Sequence, residues 1–157
     1  MIQINFSAFG RIILPVNIKP KNSNSLIPIE FKVDTGADST TISKYDLIDL
    51  GYDISWINQN VISVKNKLTT ASGEKVNAGY VQLPLINILG YEGINWPFYI
   101  IIDNTQDFKN LLGRDLLSGF NYYFNNDDDI FSITQTKIFK PRYDFLPDQE
   151  INKMHAI

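Results

Sequence analysis

Cysteine is absent from all 157 residues, and histidine occurs once, as His155 near the C-terminus. The first absence excludes disulfides, thiolate metal sites and cysteine nucleophiles together. The second argues against a Ser-His-Asp triad and against a classical zinc site, both of which need a better-placed imidazole. A surplus of positive charge is missing too: 14 Lys and Arg stand against 17 Asp and Glu, a net charge of −3. Nothing there neutralises a phosphate backbone, so no nucleic-acid partner is expected. No apolar run approaches the roughly 20 residues of a membrane span, so no membrane partner is expected. The opening Met1-Ile2-Gln3-Ile4-Asn5-Phe6 alternates apolar and polar without a basic start. It reads as a strand and not as a signal peptide, which makes a cytoplasmic protein the expectation. Any hydrolytic chemistry is left to carboxylates, with no metal and no cofactor.

What is present is a composition of 44% hydrophobic and 20% charged residues, on a length that suits one domain with one core. Period-two alternation prevails, and the fold class it indicates is all-β, mainly strands with one or two short helices. Ile2 to Phe6 and Ile12 to Ile18 read as strands, with Pro15 pointing to an edge position. The loop Lys19 to Ser25 joins the second to Leu26–Val33 as a hairpin. Ser43 to Leu50 reads as a helix, capped by Ser43 and ended by Gly51. Val61–Leu68 and Val76–Leu83 flank a turn at Ala71-Ser72-Gly73-Glu74, a second hairpin. Leu85–Leu89 and Phe98–Ile102 read as further strands, the latter buried on both faces. Leu111 to Leu117 leads from a strand into a short helix. Phe120–Phe124 and Ile130–Ile133 enclose the polar tip Asn125 to Asp129 as a last hairpin. Residues 1–136 form the domain expected, and 137–157 a polar C-terminal extension of uncertain structure.

One stretch carries chemistry. Ile29, Phe31 and Val33 share one face of a strand that delivers Asp34 into the turn Asp34-Thr35-Gly36-Ala37-Asp38. A rigid strand holds the acid, and a hydroxyl-plus-glycine turn surrounds it with backbone N–H donors. Two carboxylates that share one proton can act as base toward water and acid toward a carbonyl, titrating as a unit. This chain has one such loop and no internal repeat. A two-fold axis beside Asp34 would bring in the second copy.

Phe31-Lys32-Val33-Asp34-Thr35-Gly36-Ala37-Asp38-Ser39-Thr40, followed by the small-residue hairpin tip and then by Leu111-Leu112-Gly113-Arg114-Asp115, resembles the retropepsin-like aspartic proteases. The resemblance covers roughly Ile12 to Ile133. It implies a closed acid-protease β-barrel with one lobe per chain, and an aspartic endopeptidase active as a homodimer on peptide or protein substrates. By the same resemblance Asp34 is the catalytic acid, Thr35 interlocks with its symmetry mate, and Gly36 lets substrate backbone approach. Ala37 and Asp38 border the substrate, with Asp38 paired to Arg114, and Ala71, Ser72 and Gly73 form a mobile flap over it. Leu112 and Gly113 pack beneath the catalytic loop. Two-lobed relatives place a hydroxyl residue at the position of Ala37, and its loss predicts a less acidic optimum.

Plainer readings compete at each point. Asp34 could end its strand in an ordinary Asx turn, Asp38 and Arg114 could brace without binding, and the Ser72-Gly73 turn could be an unremarked hairpin end. A catalytically silent module for dimerisation or peptide binding is the alternative function. A nucleotide-binding Asp-x-Gly loop of actin-like type wants hydroxyls where Ala37 and Asp38 stand. Asp127-Asp128-Asp129 lacks the spacing of a calcium loop and reads as a solvated tip. Trp56, Trp96, Tyr122, Tyr123 and Phe124 read as core, and His155 as an exposed tail residue.

Overall fold

Alternating side chains build most of the structure, a computed structural model that describes residues 1–5, 11–63, 68–69, 73–103 and 110–136. Ala71, Ser72 and the 137–157 extension with His155 lie outside the described residues. In chain order the elements are β1 (Ile2–Asn5), β2 (Ile13–Ile18), β3 (Ile27–Val33), α1 (Lys44–Asp49), α2 (Ile54–Asn60), β4 (Ile62–Ser63), β5 (Leu68–Thr69), β6 (Lys75–Val76), β7 (Ala78–Ile88), β8 (Tyr91–Ile101), β9 (Leu111–Leu112), α3 (Arg114–Leu117), β10 (Phe120–Asn125) and β11 (Ile130–Gln135). No described helix is long and apolar enough to cross a membrane.

The hairpin β2–β3 is antiparallel along its whole length, from Ile13 opposite Lys32 to Ile18 opposite Ile27. Leu14, Val16 and Ile18 point into the core while Ile13 and Pro15 face out. Val33 N donates to Ile12 O, so the even residues of β2 exchange hydrogen bonds with β3 and the odd residues point the other way. On that other side β7 pairs only with Asn17 and Ile18. Pro15, which has no N–H to give, therefore sits where the strand has no second neighbour among the described residues.

A six-stranded sheet runs β4-β7-β2-β3-β9, with β8 paired to β7. β9 joins β3 in parallel, setting Leu112 beside Val33. Among the described residues no sheet closes on itself into the expected barrel. Between β8 and β9 stands Thr41, which bridges Tyr99 in one direction and Leu111 in the other. The core inside includes Leu14, Ile18, Phe31, Leu83, Ile86, Trp96, Phe98 and Leu112, with the Phe31 and Phe98 rings 6.0 Å apart. A separate three-stranded sheet, β1-β11-β10, pairs the N-terminal strand with the last hairpin. Trp96 is core as expected, but Tyr123 is 65% exposed and Tyr122 and Phe124 are partly exposed. They lie on β10 of this outlying sheet, where Phe131 takes the rings of Tyr122 and Phe124 at 6.1 and 5.0 Å and those two rings meet edge-on at 6.1 Å.

Two further elements differ from the sequence expectation. β7 and β8 form one long hairpin in place of separate short strands. Its turn is Leu89-Gly90, both at positive φ (51° and 87°), the geometry of a type I′ turn. Pro84 does not end β7: Leu83 pairs with Trp96 and Leu85 with Ile94, so the strand runs straight past it. Helix α2, a third helix, begins where the Asp53 carboxylate accepts the Trp56 N–H at 2.8 Å. It buries Ile57 and sets Trp56 against Tyr52, ring centroids 4.6 Å apart.

Candidate active site

β3 ends at Val33, and Asp34 N donates to Leu112 O at 3.0 Å. The strand thus hands its last hydrogen bond to β9 and releases Asp34 into a turn closed by Ala37 N donating to Asp34 O at 3.2 Å. Within that turn Gly36 N donates to Asp34 Oδ1 at 2.9 Å, fixing one carboxylate oxygen. A Cβ on Gly36 would stand 3.3 Å from that oxygen and press on it. Asp34 is half-buried, whereas Thr35 and Gly36 are exposed at the apex. The acid is held from below and open from above.

The underside of the loop is the start of α3. Arg114 N donates to Ala37 O at 2.8 Å and Asp115 N to Asp38 O at 3.2 Å. The orphan N–H groups of a short helix are capped by carbonyls of the acid's own loop. Gly113 supplies no capping side chain, and none would fit: its Cβ would meet Ser39 C at 2.5 Å and Thr40 N at 2.9 Å. Glycine here is a requirement of close approach. Leu112 is fully buried, and Gly113 stands against Ser39 and Thr40.

Arg114 and Asp38 form the expected ion pair, Nη2 to Oδ1. Both side chains are about half exposed, at 45% and 58%, so the pair contributes no more than about 1 kcal/mol. Its value is geometric, since it joins the loop to α3 on the outer side. Ala37 is half-buried and carries only a methyl. At the hairpin tip Gly73 is exposed with φ of +84°, and no atom lies within 4 Å of where its Cβ would be. The turn beyond β5 and β6 is therefore built on a residue free to adopt a left-handed backbone. The tip of the last hairpin is held internally: Asn125 Oδ1 accepts from Asp127 N and Asp128 N, and Asn125 Nδ2 donates to Asp128 Oδ2.

Sequence reasoning gives no role to Thr40 and Asp115, yet they are the most constrained polar groups near the loop. Asp115 is the buried charged residue of the described structure, at 5% exposure. Its Oδ1 accepts from Thr40 Oγ1 at 2.6 Å, Thr40 N at 3.0 Å and Leu116 N at 2.7 Å. Burial drives its pKa up to about 6, against the pull of those donors toward the charged form. Ser39, beside Thr40, shares a hydrogen bond of 3.2 Å with the hydroxyl of Tyr80 on β7.

One loop of this kind supplies one carboxylate. Among the described residues no second acid is hydrogen-bonded to Asp34: Asp38 is engaged by Arg114 and Asp115 by Thr40. A dyad needs another copy.

A family model described as Aspartyl protease matches residues 15–116. No curated protein sequence matches. Among solved structures, the chain is similar to a retropepsin-like aspartic protease from Rickettsia conorii, with TM-score 0.62 and 24% identity, covering 85% of this chain and 97% of that one. It is similar also to the retroviral protease-like domain of Ddi1 from Leishmania major, with TM-score 0.51 and 18% identity over 89% of this chain and 97% of that one. At these identities the likeness is one of fold.

Proposed function

The chain belongs to the aspartyl protease family, and on that footing we propose that it is an aspartic endopeptidase, active as a homodimer with one Asp34 per chain. The observation that carries the reading is the mounting of Asp34: a half-buried carboxylate, one oxygen fixed by Gly36 N–H, at the open apex of a loop clamped to Leu112–Asp115. We read the circuit β2-β3-β9-Thr41-β8-β7 as the retropepsin-like barrel, with Asp34 on its rim.

In the dimer, Asp34 and its copy face each other and share one proton, because like charges at such range do not both ionise. The ionised member takes a proton from the attacking water while the protonated member donates to the peptide carbonyl oxygen. The peptide runs past Gly36, whose missing side chain leaves the backbone accessible, and under the hairpin that ends at Gly73. Ala71 and Ser72 belong to the same proposed cover, with Ala37 and Asp38 along the floor. A monomer holds half of this apparatus and is inert.

The test is Asp34→Asn. Peptide cleavage should vanish while the mass in solution stays that of a dimer. Turnover retained by the variant, or a wild-type chain that is strictly monomeric and active, refutes the proposal.

A further inference from the structure

Residues 34 to 40 are held from one side by four consecutive residues, Leu112 to Asp115. Leu112 O takes Asp34 N, Arg114 N reaches Ala37 O, and Asp115 N reaches Asp38 O. All three are main-chain contacts that any sequence could make. The fourth is not. The Thr40 hydroxyl donates to Asp115 Oδ1 at 2.6 Å and accepts from Gly113 N at 3.1 Å, so both its capacities are used and its direction is fixed. Thr40 O in turn takes Tyr99 N from β8 at 2.9 Å, and the residue is wholly buried.

A buried carboxylate is costly even when bonded, and within its own helix it takes one N–H group, Leu116 N, those of Arg114 and Asp115 being bonded to Ala37 O and Asp38 O. We propose that Thr40 and Asp115 are positioning residues for Asp34: they fix where the loop leaves the sheet, and hence where the catalytic carboxylate sits, without touching substrate. The inference rests on the reading of Asp34 as the catalytic acid. Its physical basis is the lack of slack. Gly113 already has Ser39 C and O at 2.5 and 2.6 Å from its would-be Cβ, so a change of register at Thr40 moves the loop as a body. All three bonds to Asp115 converge on Oδ1, which leaves Oδ2 as the seat of a proton. An amide at this position keeps the acceptor that matters.

The variants are Thr40→Val, which keeps shape and loses both hydrogen bonds, Thr40→Ser, which restores them, and Asp115→Asn. Activity is normalised to sites titrated with pepstatin, so that unfolded protein does not count. Thr40→Val should lower kcat per titrated site about 100-fold, the scale of a 1 Å misplacement, with KM within about threefold. Thr40→Ser and Asp115→Asn should recover most of kcat. Amide hydrogen exchange supplies a readout independent of catalysis: exchange at Thr35–Asp38 should quicken about tenfold in Thr40→Val while the β2–β3 ladder is unchanged. A Thr40→Val enzyme with wild-type kcat per site and wild-type exchange overturns the inference. If exchange quickens but Asp34→Asn and wild type are equally inactive, Thr40 is shown to hold the loop while the peptidase reading falls, and with it the catalytic role of that hold.

Discussion

The Asp115 carboxyl makes a prediction about stability whose sign runs against habit. Its folded pKa of about 6 lies above the ordinary 3.8, because burial outweighs the three donors. The folded state therefore binds a proton that the unfolded state has already released between these values. Stability from this group is complete below pH 3.8, declines as pH rises through about 6, and is flat beyond. At 1.36 kcal/mol per unit the full span is about 3 kcal/mol, and between pH 4.5 and 7 it is about 2 kcal/mol. Asp115→Asn removes the titration and keeps the oxygen that accepts from Thr40. Urea unfolding of wild type and variant, at fixed protein concentration and ionic strength, gives a difference curve in which the other groups cancel. The variant should gain on wild type by about 2 kcal/mol from pH 4.5 to 7, whatever the constant offset from its buried amide. A flat difference would mean that Asp115 titrates alike in both states. A slope of opposite sign would mean that its donors win over burial, and the account of a costly buried charge would be wrong.

Two other substitutions probe the loop. Gly113→Ala should cost about 2 to 3 kcal/mol in chemical unfolding, because main-chain atoms of Ser39 and Thr40 surround the new methyl and cannot rotate away; a loss below about 0.5 kcal/mol would refute the close approach. Ala37→Ser adds a donor beside Asp34, favours the ionised form, and should move the acidic limb of kcat/KM to lower pH by up to about one unit; a wild-type optimum already near pH 2 would contradict the role given to the methyl.

Local features of the fold were legible, and non-local ones were not. Ile29-Phe31-Val33 followed by Asp34-Thr35-Gly36 announces a strand and a turn because both signals lie within ten residues. Ser43 and Gly51 bound α1 for the same reason. Helix α2 escapes because Ile54, Trp56 and the asparagines are mediocre helix formers, and what starts it is one Asp53 cap. The β7–β8 hairpin escapes because its turn is Leu-Gly where Asn-Gly is the usual signal, and Pro84 reads as an end though the strand continues.

Asp115 is the more instructive omission. An acid in the first turn of a short helix ordinarily faces solvent and favours the helix dipole, so its residue type gives no hint of burial. Its partner Thr40 lies 75 residues away, beyond any periodicity. Yet the motif itself poses the question. In Leu112-Gly113-Arg114-Asp115, the leucine packs, the glycine admits the loop and the arginine meets Asp38. The aspartate is left with a charge that meets one N–H on its own element, that of Leu116. Across the loop, Thr40 and Thr41 stand in a stretch that leads into buried Ile42, where hydroxyls need partners. An acid with acceptor capacity to fill and a buried hydroxyl that needs a partner make a pairing that the structure then supplies, and the proposed clamp on Asp34 follows from it.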